Sequence, residues 1–110
     1  MQFDEASVAA APAAAGVYFL YCGERLLYVG IAVHGTSIRQ ELEKHIKGEY
    51  GARTRAATAF EYEQTRDPVV ASREYLLAHM AQNRGRLPPC NRPAAVPATR
   101  EDARELRADR

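Results

Sequence analysis

Two tyrosines, Tyr18 and Tyr28, stand ten residues apart in the stretch AGVYFLYCGERLLYVG at positions 15 to 30. Each belongs to a short apolar run that also carries a glycine, Gly16 in the first and Gly30 in the second. A phenol donates and accepts hydrogen bonds. Free in water its pKa is about 10, which makes it a poor base at neutral pH, and a neighbouring cation lowers that value. The two rings are either plain strand residues or the floor of a site. Gly30 has a rationale of its own, because a strand glycine lets backbone or ligand approach closely or turn sharply.

Other residues of chemical interest are spread along the chain. Glu74 lies in SREYLLAHM, a helical pattern in which most glutamates face solvent. His45 shares a stripe with Ile38, Leu42 and Ile46, which suits a histidine at the edge of a core. His34 precedes a glycine in a loop and suits the mouth of a site, and we place His45 ahead of it. Asn91 follows Pro88-Pro89-Cys90 and serves as a turn residue or as an orienting hydrogen-bond group. Lys44, Lys47, Arg53 and Arg55 fall close together, and Arg84, Arg86 and Arg92 flank the Pro-Pro segment. Such groups contact phosphates without reading bases. Singly, each is equally a solvated surface residue.

The elements that must position these residues follow from local pattern. GVYFLYC (16–22) is rich in β-branched and aromatic residues, and RLLYVGI follows after Gly23-Glu24, so the two form a β-hairpin. AVHGT is a loop. Thr36 or Ser37 caps a helix over SIRQELEKHIKG, and Gly48 or Gly51 stops it. GARTRAA reads as a basic loop. TAFEYEQT reads as a third strand, with the facing of Ala59, Tyr62 and Gln64 left open. Asp67 and Pro68 start a helix that ends at Gly85 and carries Val69, Ala71 or Ser72, Leu76, Leu77 and Met80 at helical spacing. The order is β-β-α-β-α, which gives an α+β domain with a small antiparallel sheet flanked by helices. Residues 1–14 read as an N-terminal arm and 15–92 as the domain. Residues 93–110 read as an Ala/Pro-rich, then charged tail, either a short helix from Thr99 or a frayed end, since Leu106 is its one large apolar residue.

Composition sets outer bounds. A length of 110 residues suits one domain, and a net charge of +1 neither supports nor excludes a nucleic-acid partner, so the layout of charge decides. The two cysteines, Cys22 and Cys90, form no CxxC or Cys/His cluster, which argues against structural zinc. No apolar run reaches membrane-spanning length. Asp4 and Glu5 stand where a signal peptide needs positive charge, so the expected setting is the cytoplasm.

The ordered set Gly16-Val17-Tyr18, Tyr28-Val29-Gly30, His45, Glu74 and the Pro-flanked Asn91 resembles the GIY-YIG nuclease family over about residues 14 to 91. The resemblance implies a three-stranded antiparallel sheet flanked by helices. It also implies DNA phosphodiester hydrolysis with one divalent ion, Mg²⁺ or Mn²⁺. Glu74 would hold the metal, and Tyr18, Tyr28 or His45 would take the proton from water. An arginine would steady the phosphate, and Asn91 would orient the site. Such charge stabilisation suits the reaction, and a carboxylate suits a hard ion. Both tyrosines are then expected on one sheet face, toward the helix that carries Glu74.

The arginine has two placements. The interval from Tyr28 points to Arg39. Counting one helical turn back from His45, with Ile38 and Leu42 in apolar phase, points instead to Glu41, a carboxylate that repels phosphate. The leading expectation is a DNA endonuclease with Tyr18, Tyr28, Arg39, His45 and Asn91 in its site and Lys44, Lys47, Arg53 and Arg55 on DNA. A partner protein or substrate shape would set its target. The alternative is a catalytically impaired module of the same fold that binds nucleic acid or a partner.

Overall fold

A computed structural model describes residues 1–91, so Arg92 and the tail at 93–110 lie outside the described residues. The elements run α1 (Glu5–Ala9), β1 (Gly16–Cys22), β2 (Arg25–Ala32), α2 (Ile38–Ile46), α3 (Ala52–Arg55), β3 (Ala59–Gln64) and α4 (Pro68–Gln82). The three strands form one antiparallel sheet in the order β2-β1-β3. The architecture is α+β, as expected, with two short helices, α1 and α3, added to the expected order.

The central strand explains the layering. Residues 16 to 20 of β1 are all buried, which alternation alone would not give, because helices cover both faces of the sheet. Tyr18 and Leu20 point to one side, where they meet Val8, Ala11, Ile38, Leu42 and Phe60. Val17 and Phe19 point to the other, where they meet Val29 and Leu76 of α4. Tyr28 sits opposite Leu20, and Gly30 opposite Tyr18. Directly paired residues share a face, so both tyrosines project from one side. Phe60 and Tyr62 of β3 pair with Leu20 and Tyr18 and join that face, which resolves the facing of the third strand.

That side belongs to α1 and α2. Glu74 rides on α4, which packs against the opposite face through Leu76. The expectation that the rings face the Glu74 helix is therefore corrected. Both helices cover the same narrow sheet, one per face, and the register of β1 assigns the tyrosines to α2.

Residues 1–14, expected as an arm, contain α1 and an edge contact. The Asp4 side chain accepts the Ser7 N–H, and Val8 and Ala11 are buried. The Met1 amino group donates to the Phe60 carbonyl at 3.1 Å, and the Phe60 N–H donates back to Met1 at 2.8 Å. Burial of Val8 and Ala11, one helical turn apart, was masked by the alanines around them. Ser37 caps α2 by accepting the Gln40 N–H, and Gly48, at a φ of 79°, turns the chain out of it. GARTRAA is helical over α3 rather than a loop. On α4, Pro68 opens the helix but the Asp67 side chain makes no capping hydrogen bond. Ser72 and Leu76 are buried, whereas Val69 and Leu77, assigned to the core stripe, are exposed.

Gly30 is the position where the packing leaves no alternative. A Cβ there would fall inside the ring of Tyr18. Because the Tyr18 ring is rigid and only 2% exposed, it has nowhere to retreat. Gly30→Ala is expected to cost about 3 kcal/mol or prevent folding, the upper range for overpacking a core. Urea unfolding followed by near-ultraviolet dichroism checks it, with Gly35→Ala, at a φ of 97° but in open space, as the strain-only comparison.

Candidate functional site

A chain of buried hydrogen bonds organises the tyrosine face. The Tyr18 hydroxyl and His45 Nε2 lie 2.8 Å apart, and His45 Nδ1 lies 2.9 Å from Thr54 Oγ1. A neutral imidazole donates from one nitrogen and accepts at the other, so both of its nitrogens are satisfied. His45 is 1% exposed, and burial lowers its pKa to about 4, so the ring is neutral at physiological pH. Three elements are tied here: β1 through Tyr18, α2 through His45 and α3 through Thr54.

Around this chain sit two further rings. Tyr28 is half-buried, with its centroid 6.1 Å from Tyr18 and 5.3 Å from His45. Tyr50 lies over His45 at 4.6 Å, and its hydroxyl donates to the Glu41 carboxylate. Burial raises the pKa of Tyr18, helped by Tyr28 and the negative charge of Glu41. Burial, then Glu41, raises Tyr28. The hydrogen bond to Glu41, then burial, pushes Tyr50 up to about 12. All three phenols are therefore held protonated. They can donate hydrogen bonds, but none is prepared to act as a base.

Arg39 does not join them. Its Nε donates to the carbonyl of Ala11 at 2.7 Å, and its own N–H reaches Pro12 at 3.2 Å, so it fastens α2 to the segment after α1. Its place at the start of α2, about 200° around the helix from Glu41, explains this. Glu41 is the α2 residue whose charge reaches Tyr18 and Tyr28. The charge that acts on the tyrosines is thus negative, while Arg39, expected in the site, is bonded to the Ala11 carbonyl.

Asn91 is placed beside Tyr28 and Gly30, but in a structural contact. Its Oδ1 accepts the Val29 N–H at 2.9 Å and its Nδ2 donates to the Val29 carbonyl at 3.0 Å. The Cys90 N–H adds a bond to the Leu27 carbonyl at 2.9 Å. The side-chain amide acts as an extra strand residue along the edge of β2, and its amide oxygen and nitrogen are spent on backbone. Gly16 is a close-packing glycine, since a Cβ there would strike the Glu63 carbonyl and Ile38.

Glu74 is exposed. Leu76 points inward, and two residues away Glu74 lies about 200° around the helix, on the outward side. Among the described residues no three His, Cys, Asp or Glu side chains gather as a metal site. A lone carboxylate holds Mg²⁺ or Mn²⁺ only through an ion that keeps most of its water, so the donors fit a loosely held hydrated ion and not a protein-built centre.

Lys44 and Lys47 line a hollow of about 320 Å³ with Gln40 and Glu43. Arg53 donates to the Pro89 carbonyl at 3.1 Å and lines a separate hollow of about 280 Å³ with Tyr50, Asn91 and Pro89. The Arg55 side chain lies against Gly48. His34 is exposed in its loop.

The chain matches no family model, no curated protein and no solved structure.

Tyr50 and Thr54 are the site residues that sequence reasoning missed. The signal for Thr54 was Gly51, whose φ of 104° breaks the chain and starts α3, so that the expected loop presents one buried face.

The histidine sets a pH dependence. Its folded-state pKa of about 4 lies below the reference value of 6.5. The unfolded chain therefore binds the proton more readily, and the contribution is complete above about 6.5 and is lost as pH falls through that window toward 4. Unfolding free energy is expected to decline over that range in the wild type. The decline should be shallower in His45→Gln, because acidic groups shared by both proteins cancel in the comparison. Parallel profiles would remove His45 as the source.

Proposed function

We propose that this chain is a GIY-YIG-type domain that holds DNA by its phosphates, without sequence preference, and hydrolyses it poorly. The observation that carries the reading is Glu41, hydrogen-bonded to Tyr50 and acting on both Tyr18 and Tyr28, while Arg39 is fastened to the Ala11 carbonyl. Phosphodiester cleavage gathers negative charge on oxygen, and a carboxylate at that point raises the barrier that a cation would lower. The exposed arginines remain available to phosphate. Target choice then falls to substrate shape or to a partner protein. Among the described residues no helix is long and apolar enough to cross a membrane. The two free thiols suit the cytoplasm, where this reading places the protein.

A second reading, an active metal-dependent endonuclease, is favoured by two observations: Tyr28 is only half-buried, and Glu74, on the helix of the other sheet face, is open to solvent. Glu74 would then hold one hydrated Mg²⁺ or Mn²⁺, whose chemistry is to neutralise charge on the phosphate.

Cleavage of branched and linear DNA with Mn²⁺ separates the two. Wild type is expected to cut little. Glu41→Arg is expected to raise cutting by about tenfold or more, the scale of restoring one charge stabiliser, and Arg39→Ala to leave it unchanged. Strong wild-type cutting that disappears in Glu74→Gln would establish the second reading instead. Binding has its own check. Changing Arg53 and Arg55 to Ala should weaken affinity for all sequences alike and flatten its salt dependence.

A further inference from the structure

A hollow of about 640 Å³ lies away from the tyrosines. Its walls are the β1–β2 hairpin end, with Glu24 and Arg25, and the end of α4 with the segment after it, carrying His79, Arg84 and Arg86. Three guanidinium groups against one carboxylate make it the most concentrated positive region among the hollows described, in a protein whose net charge is only +1. A cleft lined by one sign of charge focuses the field even when the whole molecule is near neutral.

The backbone at this point is built, not loose. Asn83 ends α4, and its side-chain amide donates to the His79 carbonyl at 2.7 Å. The Gly85 N–H returns to the Met80 carbonyl at 2.7 Å, and the Arg86 N–H to the Asn83 carbonyl at 3.0 Å. Between them Arg84 takes a φ of 56°, the single non-glycine residue in the left-handed region among those described. With the Gly85 N–H bonded back to Met80, this is a left-handed helix stop, and it fixes the path of the chain through Arg84 to Arg86. Arg84 and Arg86 line the hollow together with Arg25. Leu26 and Leu87 add an apolar strip to the lining.

Pro89 lines this hollow and also the smaller one that holds Tyr50, Arg53 and Asn91. The two are therefore neighbours across one proline, and Arg53, bonded to the Pro89 carbonyl, stands at their border.

We propose that the cleft of Arg25, Arg84 and Arg86 is a docking site for the phosphodiester backbone of a nucleic acid, one that leads the strand over Pro89 toward Arg53 and Tyr28. This deepens the DNA-binding reading and rests on it. The planar fork of arginine matches phosphate oxygens in pairs. The apolar strip offers contact to sugar or base without a sequence code, and the separation from Glu41 lets binding persist where cleavage fails.

The test is fluorescence anisotropy of a short labelled DNA duplex over a salt series, with wild type, Arg84→Glu, Arg86→Glu, the double variant, and Arg66→Glu as a charge-matched change on the exposed turn before α4. The double variant is expected to lose affinity by at least about tenfold and to lower the salt slope by about 2, roughly 0.9 for each phosphate contact removed. Arg66→Glu should change neither by more than about twofold. Wild-type binding that the double variant leaves intact, while Arg53→Glu abolishes it, overturns the cleft and leaves the DNA-binding reading standing. Equal losses in Arg66→Glu and the cleft variants overturn it too, by reducing the effect to net charge. A wild type that binds no duplex overturns both. Displacement of the duplex by polyglutamate as effectively as by polyphosphate overturns the nucleic-acid assignment in favour of an acidic peptide.

Discussion

The buried hydroxyl of Tyr18 is the constraint from which the tyrosine face is built. A phenol taken fully out of water costs about 1–3 kcal/mol if its oxygen finds no partner, and here the partner is His45 at 2.8 Å. The imidazole then needs a partner for its other nitrogen, which Thr54 supplies. To bring the ring there, β2 must offer no side chain opposite Tyr18, and Gly30 meets that need. Four residues from four elements thus depend on one another. Substituting any one leaves a buried polar atom unmatched or a ring without space.

This dependence changes the meaning of the family-like pattern. The tyrosines, glycines, histidine and asparagine that resemble catalytic parts all have structural employment in this chain. His45 has no free nitrogen, and Asn91 spends both polar atoms of its amide on Val29. Tyr18 is buried and raised further from ionisation by Glu41. Tyr28 is the member that still meets solvent. A site of this kind retains shape and hydrogen-bond donors while lacking a base and a cation.

Much of the fold was legible because its signals were local. The hairpin followed from two β-rich runs around Gly23-Glu24. Helix α2 followed from Ser37 and the Ile38/Leu42 stripe, and Pro68 marked the start of α4. The misses share a physical cause, which is that burial was decided by partners distant in sequence. Val8 and Ala11 are inside because α1 lies on α2, not because their own segment is apolar in pattern. Leu77 and Val69 are outside because α4 meets the sheet along a narrow line through Leu76. The helical phase of Ile38 and Leu42 pointed to Glu41, the α2 residue whose charge acts on Tyr18 and Tyr28. It could not show that Arg39, so close in sequence, would be drawn to the Ala11 carbonyl of a segment that read as a loose arm.

The same logic separates the positive charges from the tyrosines. Arginine and the neutral phenol–imidazole chain are poor neighbours here, since a guanidinium within the cluster would have to be desolvated without a free acceptor to meet it. Glu41 avoids that cost by standing at the rim and taking the Tyr50 hydroxyl. The arginines are left to the margins, where water solvates them: Arg53 at the Pro89 border, and Arg25, Arg84 and Arg86 at the far end of the sheet. A fold that spends its polar interior on structure carries its positive charge at the surface, and in this chain three arginines line one hollow where the end of α4 meets the hairpin.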